Sequence, residues 1–224
     1  MRVEDTGENS VIAWFADKAS VEVNESVVAT CRNLEQSMGD TIIDLVPSYA
    51  SLLVVFDPFK THHAEVHEWL SAAFESINPT ETITKVIELP VLYGEAYGPD
   101  IKRIADNAGI TEFQVAQLHQ SIEYRVYAIG FAPGFAYLGE IDLKLATPRL
   151  EIPRQNVPKG AVAIADRQTA VYPSESPGGW NLIGLCPTRL IDPTEKLPMP
   201  IAVGDWVRFI EIDEAQYLNL GGEL

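Results

Sequence analysis

The side chains whose types and spacing suit chemistry gather between His119 and Gly184. His119 can pass a proton near neutral pH, or it can hydrogen-bond a neighbouring strand as a structural residue. Arg154 and Lys159 offer donors to a carboxylate or phosphate, although solvated surface cations read the same way. Ser176-Pro177-Gly178-Gly179 makes a turn that exposes consecutive backbone N–H groups, which is either an oxyanion nest or a tight turn feeding the next strand. Gln168 and Tyr172 alternate on a short strand, placed to orient a polar ligand or to complete hydrogen bonds of the sheet. Phe131, Phe135 and Tyr137 supply either a pocket wall or part of the core.

Several sharper motifs fail on spacing. Gly134 and Gly139 have the separation of a phosphate loop, but Glu140-Ile141 stands where Lys and Ser/Thr are required. His63 and His67 share a helix face, yet Glu65 comes one position too late for a zinc protease and no third ligand is evident, so no metal site is expected. Ser174 or Ser176 with His119 lacks the Gly-x-Ser-x-Gly elbow of a serine hydrolase.

Composition narrows the classes further. A net charge of −16 leaves no basic footprint for nucleic acid. Arg149, Arg154, Lys159 and Arg167 lie close in sequence and are the expected place for any anion. Cys31 and Cys186 are too few and too far apart to suggest a disulfide framework or a zinc spacing. There is no run of 18 apolar residues and no secretory pattern in MRVEDTGENS, so a soluble, cytoplasmic protein without membrane contact is expected.

These residues need a scaffold, and the pattern predicts an α+β protein of two domains. Residues 1–92 read as strand, helix, strand, strand, helix, strand, which predicts a ferredoxin-like α/β domain. Its strands are expected at Val11 to Phe15, Thr41 to Val46, Ser51 to Phe56 and Thr82 to Leu92. Its first helix (20–37) turns Val23, Val27, Cys31 and Leu34 inward, and its second (60–77) turns Val66, Leu70, Ala73 and Phe74 inward. Residues 93–224 open with short helices, one from about Pro99 and one started by a Thr111/Gln114 capping box that carries His119 near its end. Short strands between Gly and Pro turns follow at 123–131, 161–166, 169–173, 180–186 and 205–212, a density that predicts a closed or nearly closed β-barrel carrying the site.

In combination, the sequence resembles the carboxyltransferase subdomain C/D family, which includes the B subunit of 5-oxoprolinase, allophanate hydrolase subunit 1 and Kip-type kinase inhibitors. The matching elements are Tyr97-Gly98-Pro99-Asp100, Leu118-His119, Glu123 to Tyr127, Gly130 to Phe135, Tyr137-Leu138-Gly139, Pro153-Arg154, Gln168-Thr169, Tyr172-Pro173 and Ser176 to Trp180. The resemblance implies a cyclophilin-like barrel in the second domain. It also implies ATP-dependent opening of the 5-oxoproline lactam to glutamate, shared with a C subunit of related barrel fold and an A subunit of different fold. ATP would be a co-substrate, with Mg at the level of the complex and no tightly bound cofactor. Amide resonance makes the lactam carbonyl a poor electrophile, and phosphorylating its oxygen would remove that obstacle. The rivals within the resemblance are inhibition of a sensor histidine kinase and a carboxyltransferase-like part in urea or allophanate metabolism; the latter would need a biotin-carrier partner.

Overall fold

The computed structural model describes residues 1–77, 85–192, 194 and 199–224, and the chain divides into two compact units, Met1–Thr84 and Lys85–Leu224. In the first, β1 (Arg2–Gly7), β2 (Ser10–Trp14), β3 (Ile42–Ser48) and β4 (Ser51–Phe56) form an antiparallel sheet in the order β1-β2-β4-β3, with helices α1 (Val21–Met38) and α2 (His63–Glu75). Ser20 caps α1 by accepting from the Val23 amide. The buried face of α1 is Asn24, Val27, Thr30, Cys31, Leu34 and Met38, so the inward stripe lies one residue round from Val23. Its apolar members join Val66, Leu70 and Ala73 of α2 and the inner faces of β2 and β4 in one core.

The sheet differs from the expected order in two ways. β1 is polar and almost wholly exposed, so no periodicity announces it. His63 and His67 face it, bonding Gly7 O and the Asp5 carboxylate at 3.0 and 2.8 Å. The strand expected at Thr82 to Leu92 instead appears as β5 (Val86–Tyr93) of the second unit, with residues 82–84 outside the described residues. Its Leu89, Val91, Leu92 and Tyr93 are buried on both faces, a pattern that fits a barrel wall better than the rim of a two-layer sheet.

The second unit adds α3 (Ile101–Ala108), α4 (Glu112–Gln120), β6 (Glu123–Ile129), β7 (Ala136–Gly139), β8 (Arg154–Val157), β9 (Ala161–Ala165), β10 (Gln168–Val171), β11 (Ser176–Gly178), β12 (Asn181–Leu185), β13 (Trp206–Glu211) and α5 (Glu214–Asn219). Seven strands follow the order β6-β13-β5-β12-β9-β10-β7, and pairing of β6 with β7 closes the barrel. All neighbours are antiparallel except β5 and β13. The Thr111/Gln114 capping box starts α4 as its sequence predicts.

All seven strands send side chains into one cluster, the barrel interior, which also takes Ile101, Ile104, Val115 and Ala116 from α3 and α4. Alternation then places Ala161, Ala163, Ala165 and Ala170 on the outer face, opposite Val162, Ile164 and Val171. These small side chains make room for an outer aromatic layer of Phe135, Tyr172 and Trp180. β9 and β10 form a hairpin whose register runs on past its end: Tyr172 N bonds Ala161 O, Gly160 N bonds Tyr172 O, and then Ser176 pairs with Val157 and Gly178 with Arg154. The β8–β11 ribbon is thus the outer end of one long hairpin, interrupted at Gly160, whose φ of 81° suits only glycine.

Candidate functional site

The loop from Gly130 to Gly139 leads off β6 and returns as β7. Gly130 N bonds Phe135 O and Phe135 N bonds Ala132 O, both at 3.0 Å, which draws the loop tight. Gly134 has φ 84°, and a Cβ there would meet Leu190 O at 2.9 Å. Phe131 sits at φ 68°, a rare conformation for a bulky residue, and its ring is 64% exposed. The loop stands Phe131 and Phe135 edge-on to each other at 5.3 Å, and Phe135 in turn contacts Tyr137, Tyr172 and Trp180 at 5.0, 5.2 and 5.6 Å.

The ribbon supplies the facing wall. A Cβ on Gly178 would lie 2.3 Å from Tyr172 Oη, so the glycine lets the phenol reach the ribbon backbone. The run from Ser176, expected as a turn, is instead the strand β11 up to Gly178, because it pairs with β8, and Gly179 O just beyond it accepts from Leu150 N at 2.7 Å, tying the segment that carries Arg149 to the ribbon. The Arg149 guanidinium lies 5.7 Å above the Trp180 ring, a cation–π arrangement. Phe131, Phe135, Tyr137, Arg149, Tyr172 and Pro177 to Trp180 enclose a pocket of about 90 Å³. Burial raises the Tyr172 phenol above its usual value, while the Trp180 backbone amide and the charges of Arg149 and Arg154 pull the other way. The phenol is neutral at pH 7, and both guanidinium groups are close enough to act on it.

Arg154, opposite Gly178 in the ribbon, donates from Nη2 to Asp100 Oδ1 at 2.8 Å. Its Nη1 is buried with no hydrogen-bond partner among the described residues, and so is Ser176 Oγ on the paired strand.

The structure therefore brings Phe131, Phe135, Tyr137, Tyr172, Gly178 and Gly179 into one pocket, with Ser176 in the same ribbon and Arg154 paired with Gly178 of its wall. Three candidates lie elsewhere. Lys159 lines a separate pocket of about 110 Å³ with Cys186, Tyr217 and Glu223. Gln168 opens β10 opposite Gly139 and Ala165.

His119 is fully buried inside the barrel, stacked on Phe209 at 4.4 Å. Thr169 Oγ1 gives its proton to Ala163 O, so it accepts from His119 Nε2–H at 2.8 Å, and His119 Nδ1 accepts from the Tyr93 hydroxyl at 2.7 Å. This network fixes a neutral imidazole, and burial drives its pKa down to about 3. Burial also pushes the Cys31 thiol up to about 12 and raises Cys186, so neither is poised as a thiolate.

Asp100, Arg149 and Trp180 are site-forming residues that motif reading left out of its candidates, although Trp180 closes the Ser-Pro-Gly-Gly-Trp run. Arg149 stood in the cation cluster and Asp100 in the Tyr-Gly-Pro-Asp run, but the 54 positions between Asp100 and Arg154 hide their pairing.

The family described as carboxyltransferase domain, subdomain C and D, matches residues 1–201. A Bacillus subtilis protein named as the B subunit of 5-oxoprolinase is 33% identical over 96% of this chain and 95% of its own length. An Escherichia coli O157:H7 protein of the same name is 40% identical over 75% of this chain and 78% of its own. The crystal structure of TTHA0988 superposes with a TM-score of 0.82 at 35% identity over 95% of this chain; the present chain spans only 40% of that longer polypeptide.

Proposed function

Because the chain belongs to the carboxyltransferase domain, subdomain C and D family, we propose that it is the B subunit of a 5-oxoprolinase, a cytoplasmic component that works with the A and C subunits to open 5-oxoproline to glutamate with hydrolysis of ATP. The observation that carries this reading is the meeting of Arg149 and Tyr172 in a small aromatic pocket, with Arg154 paired to Gly178 of its wall. A volume of about 90 Å³ suits a compact ring rather than a drug-sized ligand. Aromatic faces would hold the apolar edge of the lactam, and a guanidinium would take its carboxylate. Exclusion of water would strengthen each of these contacts during the reaction.

The pocket is too small for a nucleotide, and the described residues hold no cluster of three metal-ligating side chains. We therefore assign ATP and Mg²⁺ to a site completed by the rest of the complex and derive no step of phosphoryl transfer from this chain. His119 acts, in this reading, through its hydrogen bonds to Tyr93 and Thr169, holding α4 against the barrel wall rather than moving a proton. The C subunit is the partner we place over the exposed Phe131 and Ile152, the latter 84% exposed.

The test is phosphate release from ATP on adding 5-oxoproline, measured with this chain alone, with the C subunit, and with the A and C subunits together, against those two without this chain. Turnover confined to the complete mixture supports the assignment. No substrate-dependent turnover in the complete mixture refutes it.

A further inference from the structure

The Tyr97-Gly98-Pro99-Asp100 turn has a construction that the pocket alone does not explain. A Cβ on Gly98 would fall 2.0 Å from the Ile183 carbonyl carbon, so the turn is pressed against the backbone of β12. Asp100 N then bonds Leu182 O at 2.9 Å and Asp100 Oδ2 accepts from Leu182 N at 2.7 Å. Asp100 occupies the N-cap of α3, where an aspartate ordinarily accepts from its own helix, yet it makes no such bond. Its carboxylate, on a residue only 7% exposed, is instead committed to β12 and to Arg154.

An arginine fork has two usable edges. Asp100 holds the Nη2 side, while Nη1 is buried without an acceptor among the described residues, as is Ser176 Oγ. A buried charged donor left unpaired costs stability, and so does a buried hydroxyl; an oxygen of a water or a ligand entering beside the paired strands would offset that cost. Arg154 is near enough to Tyr172 for its charge to act on that phenol, and it pairs across the ribbon with Gly178 of the pocket wall.

We propose that Asp100 is a positioning residue: anchored to β12, it grips one edge of Arg154 and leaves the other, with Ser176 Oγ, committed to the carboxylate of the ring compound that the aromatic pocket takes. This rests on the functional reading above, and it adds a specific division of labour. Arg149, laid over Trp180, closes the pocket, whereas Arg154 determines that the ligand is an anion.

Asp100→Asn keeps an acceptor for the Leu182 amide and removes the charge that orders the guanidinium. In the assembled complex, the KM for 5-oxoproline should rise by about ten-fold or more with kcat changed by less than about three-fold, the signature of lost ligand binding rather than lost chemistry. In the free chain labelled with ¹⁵N-arginine, the resolved Arg154 Nη signals of the wild type should coalesce as the guanidinium begins to rotate. Arg154→Lys, which keeps the charge but has no second edge, should raise KM similarly, and the double variant should be no worse than either single one. An unchanged KM in Asp100→Asn, with the wild-type complex active, overturns the positioning role and leaves the functional reading standing. If Asp100→Asn does not fold, an unchanged KM in Arg154→Lys overturns it equally. Failure of the wild-type complex to turn over 5-oxoproline sinks the functional reading, and this inference with it.

Discussion

Acid should destabilise the barrel unit through His119, and the size of the effect follows from its surroundings. An imidazole in the unfolded chain takes a proton near the ordinary value of 6.5, whereas burial holds the folded one at about 3. The folded state therefore binds fewer protons in that window. The stabilisation linked to this group is complete above pH 6.5 and is lost as the pH falls towards the folded value. Each pH step within the window removes about 1.4 kcal/mol, so about 2 kcal/mol is gone at pH 5. The loss is of order 5 kcal/mol by pH 3, comparable with the whole stability of an ordinary domain. The assay is urea unfolding of the wild type and of His119→Gln between pH 7.5 and 5. The variant loses the partners of Tyr93 and Thr169 and should be weaker at neutral pH by about 1–3 kcal/mol. Its stability should nevertheless fall less steeply with acid, by about 1.4 kcal/mol per pH step. Parallel pH profiles would refute the reasoning, as would a folded-state NMR titration of His119 near 6.5.

Two further substitutions test the packing around the pocket. Gly178→Ala drives a methyl group into Tyr172 Oη, and should cost about 1–3 kcal/mol in thermal or urea unfolding; adding Tyr172→Phe removes the oxygen but leaves ring carbons at 2.9 and 3.0 Å, so it should recover part of that loss, and no recovery would contradict the contact. Gly98→Ala meets backbone rather than a side-chain end, so it should cost about 3 kcal/mol or more with no single compensating change, and near-wild-type stability would disprove the close approach to Ile183.

The barrel was legible where the chain repeats a local rule. β9 and β12 are short apolar runs between Gly and Pro turns, α4 begins with a capping box, and their positions agree with the pattern to within a residue or two. β1 was not legible, because a polar edge strand has no buried face to write a period into its sequence. β5 was recognised as a strand but assigned the wrong neighbours, since alternation reveals the faces of a strand and says nothing of its partners. The same limit applies at the site. Aromatic and glycine residues close in sequence could be grouped from the Gly130 and Ser176 motifs, whereas the Asp100–Arg154 pair depends on a fold that brings α3 to the ribbon. The burial of His119 also lay beyond local reading, because a histidine in the last turn of a helix looks alike whether that turn faces solvent or Phe209.

The long hairpin also orders events in time. Its pairing begins beside the Asp166-Arg167 turn and proceeds outward, each new pair closing only a slightly larger loop, until Arg154 reaches Gly178. The parallel pairing of β5 with β13 must instead join Glu88 to Arg208, 120 residues away, with the rest of the barrel between them. Loop-closure entropy favours the first and delays the second. Much of the proposed recognition surface is thus assembled by short-range zippering, while closing the barrel is the slow search. Substitutions in β5 or β13 accordingly bear on how fast the protein folds, and those in the ribbon on what it binds.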